Sequence, residues 1–449
     1  MFTPRISTLV GLLCLSAGTA TVLAQVPTAW TFELQCRSSL DAGTPTFNLP
    51  FPSLLSSQYV SIGEAGDIAI RVVLGDSEGV FYGQDGVGAM IFTAPAPVDP
   101  IWSTTLDLRN GFIAIEMGNF GDGAQLWDTS GALVDNFSIG GSEGVSGFNG
   151  VTVTSDGKIC YRGDSGSNDK IVIDEFVGGA RTQTLIAQTG TGDYTFLFSP
   201  EINDAGQILT NTIPGGSTRR IVLFDAAGVP TTVAQTGAVW NSFVNSTALA
   251  QNGDVAFDAR RTSGSIWEVI HWDGTDYTTI ADGNHPNLRN GAIGNFPPVV
   301  NSNGWVAFRA GDVEHNATGL WVGDGTDLVQ LIEFDQMIET DLGMLPLGFD
   351  FGGITGKQVL SGVVDINENG QVAFSAFLQN GTIGVFVATP VMNSCVADMN
   401  GDGMLNFFDV SAFLTEFGAQ SASADINGDG AWNFFDVSAF LQAFIAGCP

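Results

Sequence analysis

Two stretches near the C-terminal end repeat each other at a spacing of 27 residues: DMNGDGMLNFFDVSAFL from Asp398 and DINGDGAWNFFDVSAFL from Asp425. Their carboxylates and amides recur at the intervals a short loop needs to wrap six or seven oxygens around a hard cation such as Ca2+. Loop positions 1, 3 and 5 are Asp398, Asn400 and Asp402 in the first copy, and Asp425, Asn427 and Asp429 in the second. Gly403 and Gly430 stand at position 6, where the loop must turn sharply. Met404 and Ala431, at position 7, need supply only a backbone carbonyl. Asn406 and Asn433 take position 9, and Asp409 and Asp436 close the loops at position 12. The expectation is two Ca2+ ions, one in each loop.

Each loop feeds an amphipathic helix. Val410, Phe413, Leu414 and Phe417 recur at helical spacing, as do Val437, Phe440, Leu441 and Phe444, and these faces are expected to pack on each other. So small a module has little core, so calcium should supply much of its stability. A conventional EF-hand closes with Glu. Asp at position 12, and loops without full leading helices, resemble instead the bacterial dockerin family. The resemblance covers residues 395–449 and implies docking on a cohesin-like or other cell-surface receptor. In dockerins that bind cohesins, polar residues at positions 10 and 11 help choose the partner. Here those positions are Phe407-Phe408 and Phe434-Phe435, and residues 395–449 contain no Lys or Arg. The four Phe residues are the expected partner-binding set, suited to an apolar surface, unless one of each pair belongs to the core. The Gly447-Cys448-Pro449 ending is similar to a class of secreted bacterial proteins whose dockerin-like tail ends in Gly-Cys and implies anchoring.

The elements before this tail form a longer repeat. Its core is a Gly, any residue, a β-branched residue, a small or apolar residue and a larger one. The copies begin at Gly66, Gly111, Gly157, Gly206, Gly253, Gly304 and Gly370, at spacings of 45, 46, 49, 47, 51 and 66 residues. Asn203, Asn301 and Asn367 precede their Gly by three, which is turn chemistry: Asn starts a type I turn and Gly accepts the positive φ that follows. The strand after the Gly alternates, Val306, Phe308 and Ala310 against Trp305, Ala307 and Arg309. Further strands are expected at 319–322, 328–332, 269–272 and 277–280, with Asp-Gly turns between the members of each pair.

Three or four short strands every 45–50 residues, with almost no helical pattern, predict a mainly β chain folded as a seven-bladed β-propeller over 25–390. Six or eight blades are the alternatives. Residues 30–34 could complete the last blade and close the ring. The copies also resemble a family of secreted bacterial proteins with tandem Asn-x-x-Gly-x-x-x-x-x-Ala repeats, fully at Asn301 to Ala310 and Asn367 to Ala376. That resemblance implies architecture, not a reaction.

The charge balance limits partners. With 47 acidic and 15 basic residues the formal net charge is −32, which disfavours nucleic acid and anionic membrane surfaces. Arg5, an apolar stretch over 6–17 and Val22-Leu23-Ala24 read as a signal peptide over 1–24, cleaved before Gln25. Leu13 is too large for a lipoprotein box at Cys14, and no later stretch is long and apolar enough to span a bilayer. The expected location is extracellular or cell-surface.

Export permits disulfides. Cys36, Cys160, Cys395 and Cys448 allow three connectivities. Cys395 and Cys448 bracket the tail, so their bridge is the expected pairing, with Cys36 and Cys160 a second bridge or two buried thiols.

Gly163 to Gly166 mimics a trypsin-like serine, and Gly75 to Gly79 and Gly140 to Gly144 mimic nucleophile elbows. All three histidines, His271, His285 and His315, follow these sites, and no helix is expected after them. The leading reading is therefore a non-catalytic binding or display propeller with a carbohydrate or protein ligand, tethered by its tail. A carbohydrate-active enzyme (glycoside hydrolase or polysaccharide lyase) and a structural surface component are the alternatives.

Overall fold

The computed structural model describes residues 25–446, apart from 56–59, 95–105, 118–122, 167, 191–192, 246, 290–292, 294–295, 353–355, 392–395, 401–404 and 429. Residues 1–24, expected to be a signal peptide, and Cys395, Cys448, Asp402, Gly403, Met404 and Asp429 lie outside the described residues.

Every repeat Gly opens the second strand of an antiparallel meander, and there are seven such sheets. Blade one runs Val60–Ile62, Ile68–Leu74, Ser77–Gln84 and Val87–Thr93, from the innermost strand outward. Blade six begins at Val299–Val300, continues through Val306–Gly311, Ala317–Gly323 and Leu328–Ile332, and then carries an insertion. That insertion, with the hairpin Met337–Thr340 and Gly343–Pro346, accounts for the long last spacing. Blade seven takes Leu360–Ile366, Val372–Phe377 and Ile383–Pro390 from the end of the repeat region. Its outermost strand is Trp30–Ser38, paired antiparallel with Ile383–Pro390. Neighbouring innermost strands pack side by side all round, the seventh against the first, so the ring is closed by the two ends of the repeat region.

The core lies between blades. Val306, Phe308 and Ala310 pack toward blade five, whereas Trp305 and Ala307 join a cluster with Val372, Phe374 and Phe386 of blade seven. Both faces of Val306–Gly311 are thus buried, and the alternation in the sequence separates one neighbour from the other. Trp305 lies so close over Gly370 that a Cβ there would meet its ring at 2.3 Å. Gly370 also has φ +77°, so the position demands glycine twice over.

The turn expected at Asn-x-x-Gly is present: the Gly206, Gly304 and Gly370 N–H groups donate to the Asn203, Asn301 and Asn367 carbonyls. The sequence does not disclose what the Asn side chains do. Each Oδ1 accepts the N–H of the residue after its Gly, and each Nδ2 crosses to a neighbouring blade. Asn203 donates to Ala250 O, Asn301 to Asn367 O, and Asn367 to Gly63 O at 2.9 Å, all buried. Removing the last strands polar partners at the ring closure. Asn367→Ala should cost about 1–3 kcal/mol in a urea titration. Asn369→Ala, which touches an exposed carbonyl of Glu64 instead, should change little.

Cys160 occupies the repeat position held by Ala69, Ala114, Ala256, Ala307 and Ala373, three residues after the Gly. It is fully buried and unbridged, as is Cys36 in the closing strand, and burial pushes both thiols up. The choice between a second bridge and two thiols therefore falls to thiols. No helix among the described residues is long and apolar enough to cross a membrane.

Candidate functional site

The two tail loops end in helices α1, Phe407–Gly418, and α2, Phe434–Ala446. Position 9 of each loop is the helix N-cap, and position 12 is the third helical residue. Asn406 Oδ1 accepts the Phe408 N–H at 2.7 Å while Asp409 Oδ2 accepts the Asn406 N–H at 2.8 Å, a capping box. Asn433 and Asp436 repeat this at 2.8 Å for both bonds. The other oxygen of each Asp accepts the position-3 N–H, of Asn400 at 3.3 Å and of Asn427 at 3.4 Å. Asp409 and Asp436 are therefore turned inward, out of solvent, holding the start of each loop to its end. Backbone N–H groups, that of Asn433 first, hold the Asp436 carboxyl below the usual carboxylate range.

Gly430 at position 6 has φ +77°, the turn expected there, and its N–H donates to Asp425 Oδ2 at 2.8 Å. Asp398, Asn400 and Ala431 occupy the chain positions expected of ligands; Asp402, Met404 and Asp429 fall outside the described residues. The donor set suits a hard cation: carboxylate, amide and carbonyl oxygens in order along a loop closed by an inward carboxylate. Seven acids and no base lie in 395–449, so bound cations would relieve repulsion within the module.

Phe413 and Phe440, 27 residues apart, stack at 4.2 Å and 5° in the core that the two copies share. Val410, Phe417, Val437 and Phe444 pack around them. Leu414 and Leu441 do not: they are 60% and 47% exposed, because two helices meeting along one narrow stripe cover only part of an apolar face. The Phe pairs are also outside the core. Phe407 and Phe434 are both 76% exposed, and Phe408 and Phe435 both 68%, which removes the reading that one of each pair is core.

The second concave feature is the propeller's channel, a cavity of ≈ 220 Å³ lined by all seven innermost strands. One residue per blade faces the repeat position three after the Gly: Ser61, Asp107, Thr152, Glu201, Ala248, Val299 and Asp365. The polar members bond to the next blade. Ser61 accepts the Leu108 N–H at 3.0 Å, Asp107 that of Val153 at 2.7 Å, and Glu201 that of Leu249 at 2.9 Å. Asp365 accepts from Ile62 N–H and Ser61 Oγ at 3.0 and 3.1 Å, across the closure. At the mouth, Glu368 accepts the N–H groups of Gln251 and Ser302, and Glu64 that of Glu368. The channel carboxylates thus act first as ties between blades. Burial pushes Glu201 up to about 8 and Asp365 up to about 7, with repulsion from Asp107 adding to both and that of Asp365 adding to Glu201.

Those shifts fix a sign. Folded pKa values above the unfolded ones mean the folded state holds extra protons between about pH 4 and 8. Stability should therefore fall as pH rises through that window. Glu201→Gln combined with Asp365→Asn should flatten the slope of the denaturation midpoint between pH 5 and 8. An equal slope in the variant would refute this account.

Arg109 is the one basic residue among the described lining, beside five carboxylates, and no His, Tyr, Trp or Phe is among them. The serines that mimic nucleophiles lie in hairpins: Ser77 opens Ser77–Gln84 and Ser165 closes Ile159–Ser165. No helix follows either, and His271 is committed to Asp254 at 2.9 Å in the core. The ring acids were legible in principle, since Glu201 and Asp365 stand five residues before their Gly. Asp107 stands four before, because the Asn110-Gly111 turn of blade two is one residue shorter.

The fold and the two-loop tail define a propeller with a small helical appendage. No protein-family model matches the chain, and no curated protein matches it. Among solved structures it is similar to an oligogalacturonate lyase in complex with manganese, at 10% identity and TM-score 0.52, covering 82% of this chain and 97% of that one. The polysaccharide lyase Uly1 aligns at 9% identity and TM-score 0.46 over 82% of this chain and 98% of that one. The Dos1 propeller aligns at 10% identity and TM-score 0.42, over 81% and 95%. At such identity the first of these likenesses speaks to the fold alone.

Proposed function

We propose that this chain is a secreted, non-catalytic binding or display propeller, tethered to a cohesin-like or other cell-surface receptor by a calcium-dependent dockerin-like tail. The observation that carries the reading is the pair of Phe residues at the start of each helix, equally exposed in both copies. Two Ca2+ ions would be held by Asp398, Asn400, Asp402, Asn406 and Asp409, and by Asp425, Asn427, Asp429, Asn433 and Asp436, with carbonyls at Met404 and Ala431. Calcium supplies charge neutralisation and a fixed loop shape. The chain's own residues do the rest: Asp409 and Asp436 hold the helix starts, and these set where the Phe pairs face. An apolar patch on so acidic a module fits a receptor with apolar pockets and a basic rim.

The test is retention of the full chain on envelope preparations of the producing cell. Binding is expected in calcium, and lost in chelator. Replacing Phe407, Phe408, Phe434 and Phe435 together by Ser should reduce it at least tenfold while leaving the circular dichroism spectrum unchanged. Retention unaffected by both treatments would overturn the reading.

The lyase fold of one neighbour favours a second reading, a polysaccharide lyase carried on the tail. A channel lined by acids with a single Arg offers no cationic cradle for a polyuronate chain. Release of unsaturated products from polygalacturonate by the purified chain would nonetheless replace the non-catalytic reading.

A further inference from the structure

On the face of blade six opposite the Asn-x-x-Gly turns, the loop between Val306–Gly311 and Ala317–Gly323 meets the end of Leu328–Ile332. The loop is held by Asp312, 2% exposed, whose Oδ1 accepts the His315 N–H at 2.5 Å. Asn316 then takes a left-handed conformation, φ +52°, to re-enter the sheet. These constraints place the His315 ring against the Glu333 carboxylate on the neighbouring strand end.

The chemistry of that meeting is unfinished. His315 Nδ1 is shut off from solvent and has no hydrogen-bond partner. Yet two carboxylates face it, Asp312 Oδ1 at 3.8 Å and Glu333 Oε2 at 3.9 Å. Had an imidazole N–H been bonded to either, the separation would be near 2.9 Å. One ligand atom each from Glu314, His315 and Glu333 lies within 4.8 Å of the others. Ligands sharing one ion at roughly 2.0–2.2 Å stand roughly 3.4 Å apart, so side-chain closure of no more than about 1.5 Å would complete the set.

We propose that Glu314, His315 and Glu333 form a binding site for a divalent transition-metal ion of the zinc type, with Asp312 positioning the loop that carries His315. The imidazole decides the class. Calcium and magnesium take oxygen ligands, whereas a nitrogen with carboxylates suits zinc, cobalt or manganese. The site is separate from the tail loops, whose donors are all oxygens, and from the channel on the inner strands. Its position gives it a consequence. The ion would join blade six's outer strand end to the hairpin loop just where the chain leaves for the insertion at 333–359.

The test uses the full chain in saturating calcium, so that oxygen-only sites are filled, and titrates Co2+ while its visible d–d absorption is recorded. One saturable equivalent is expected, displaced by Zn2+. His315→Ala should abolish that band, and Glu333→Gln should weaken cobalt binding at least tenfold, while His285→Ala leaves both intact. Near-ultraviolet circular dichroism checks that each variant is folded, and Glu333→Gln decides the matter if the histidine variant is not. No saturable cobalt spectrum in the wild type, or an unchanged spectrum in both His315→Ala and Glu333→Gln, would overturn the proposal.

Discussion

Replacing Asp341 by Ala should destabilise the propeller by about 3–5 kcal/mol, the loss typical when one partner of a buried ion pair is removed. Asp341 sits at the tip of the inserted hairpin and grips Arg37 of the closing strand with both oxygens, at 2.8 Å to Nε and 2.7 Å to Nη2. The Arg37 side chain has no exposed surface, and its further bond is Nη2 to the Pro45 carbonyl. Without Asp341 its charge would remain inside the protein with only that carbonyl for company. The effect should be read from the urea midpoint of the β transition. A double variant, Arg37→Met with Asp341→Leu, should lose less than Asp341→Ala alone, because it removes the charge together with its partner. If the single and double variants lost equal stability, the pair would be a packing contact and not an electrostatic one. The geometry explains what the insertion does. It lies over the seam where Trp30–Ser38 joins blade seven, so the one blade assembled from both ends of the repeat region receives an extra clamp.

Withdrawing calcium should unfold the tail while the propeller stays intact. On the proposed reading, a loop holding its ion at a thousandfold excess over the dissociation constant gains about 4.1 kcal/mol. The module has little to set against that loss: four fully buried apolar residues, Ala397, Phe413, Ala424 and Phe440, form the centre of its core. Amide hydrogen exchange is the suitable measurement. Residues of α1 and α2 should be protected in calcium and exchange rapidly in chelator, with strands of the propeller unchanged. Asp436→Ala should give the same loss in α2 even with calcium present, since it removes both the inward carboxylate and a helix-capping partner. Protection that is identical with and without calcium would mean that capping and the Phe413–Phe440 stack suffice, and the ion would drop out of the account.

The tail was readable because everything in it is local. The loop spacing, the Gly turn and the helix stripe all fall within about twenty residues, and the second copy checks the first. Only the exposure of Leu414 and Leu441 departs from the helical pattern, because periodicity marks an apolar face without saying how wide its partner is. The side chains of Asn203, Asn301 and Asn367 show where local reading stops. Their turns are plain from spacing, but their amide nitrogens reach carbonyls 47, 66 and 304 positions away.

By itself the amino-acid sequence determined the repeat, the strand that follows each Gly and the positions of the two acidic loops; it favoured seven blades over six or eight and offered the N-terminal strand as the closing one, and the structure decided both. These depend on periodicity and turn chemistry, which act between residues close in the chain. The tertiary structure alone decided that Ser61, Asp107, Glu201 and Asp365 tie one blade to the next around a closed channel, and it alone made the Arg37–Asp341 clamp and the cluster around His315. Their members come from different strands, blades or an insertion, and their chemistry arises from burial and distance. A carboxylate facing a closed channel reads the same in a sequence as one facing the solvent, and only the closing of the ring makes them different.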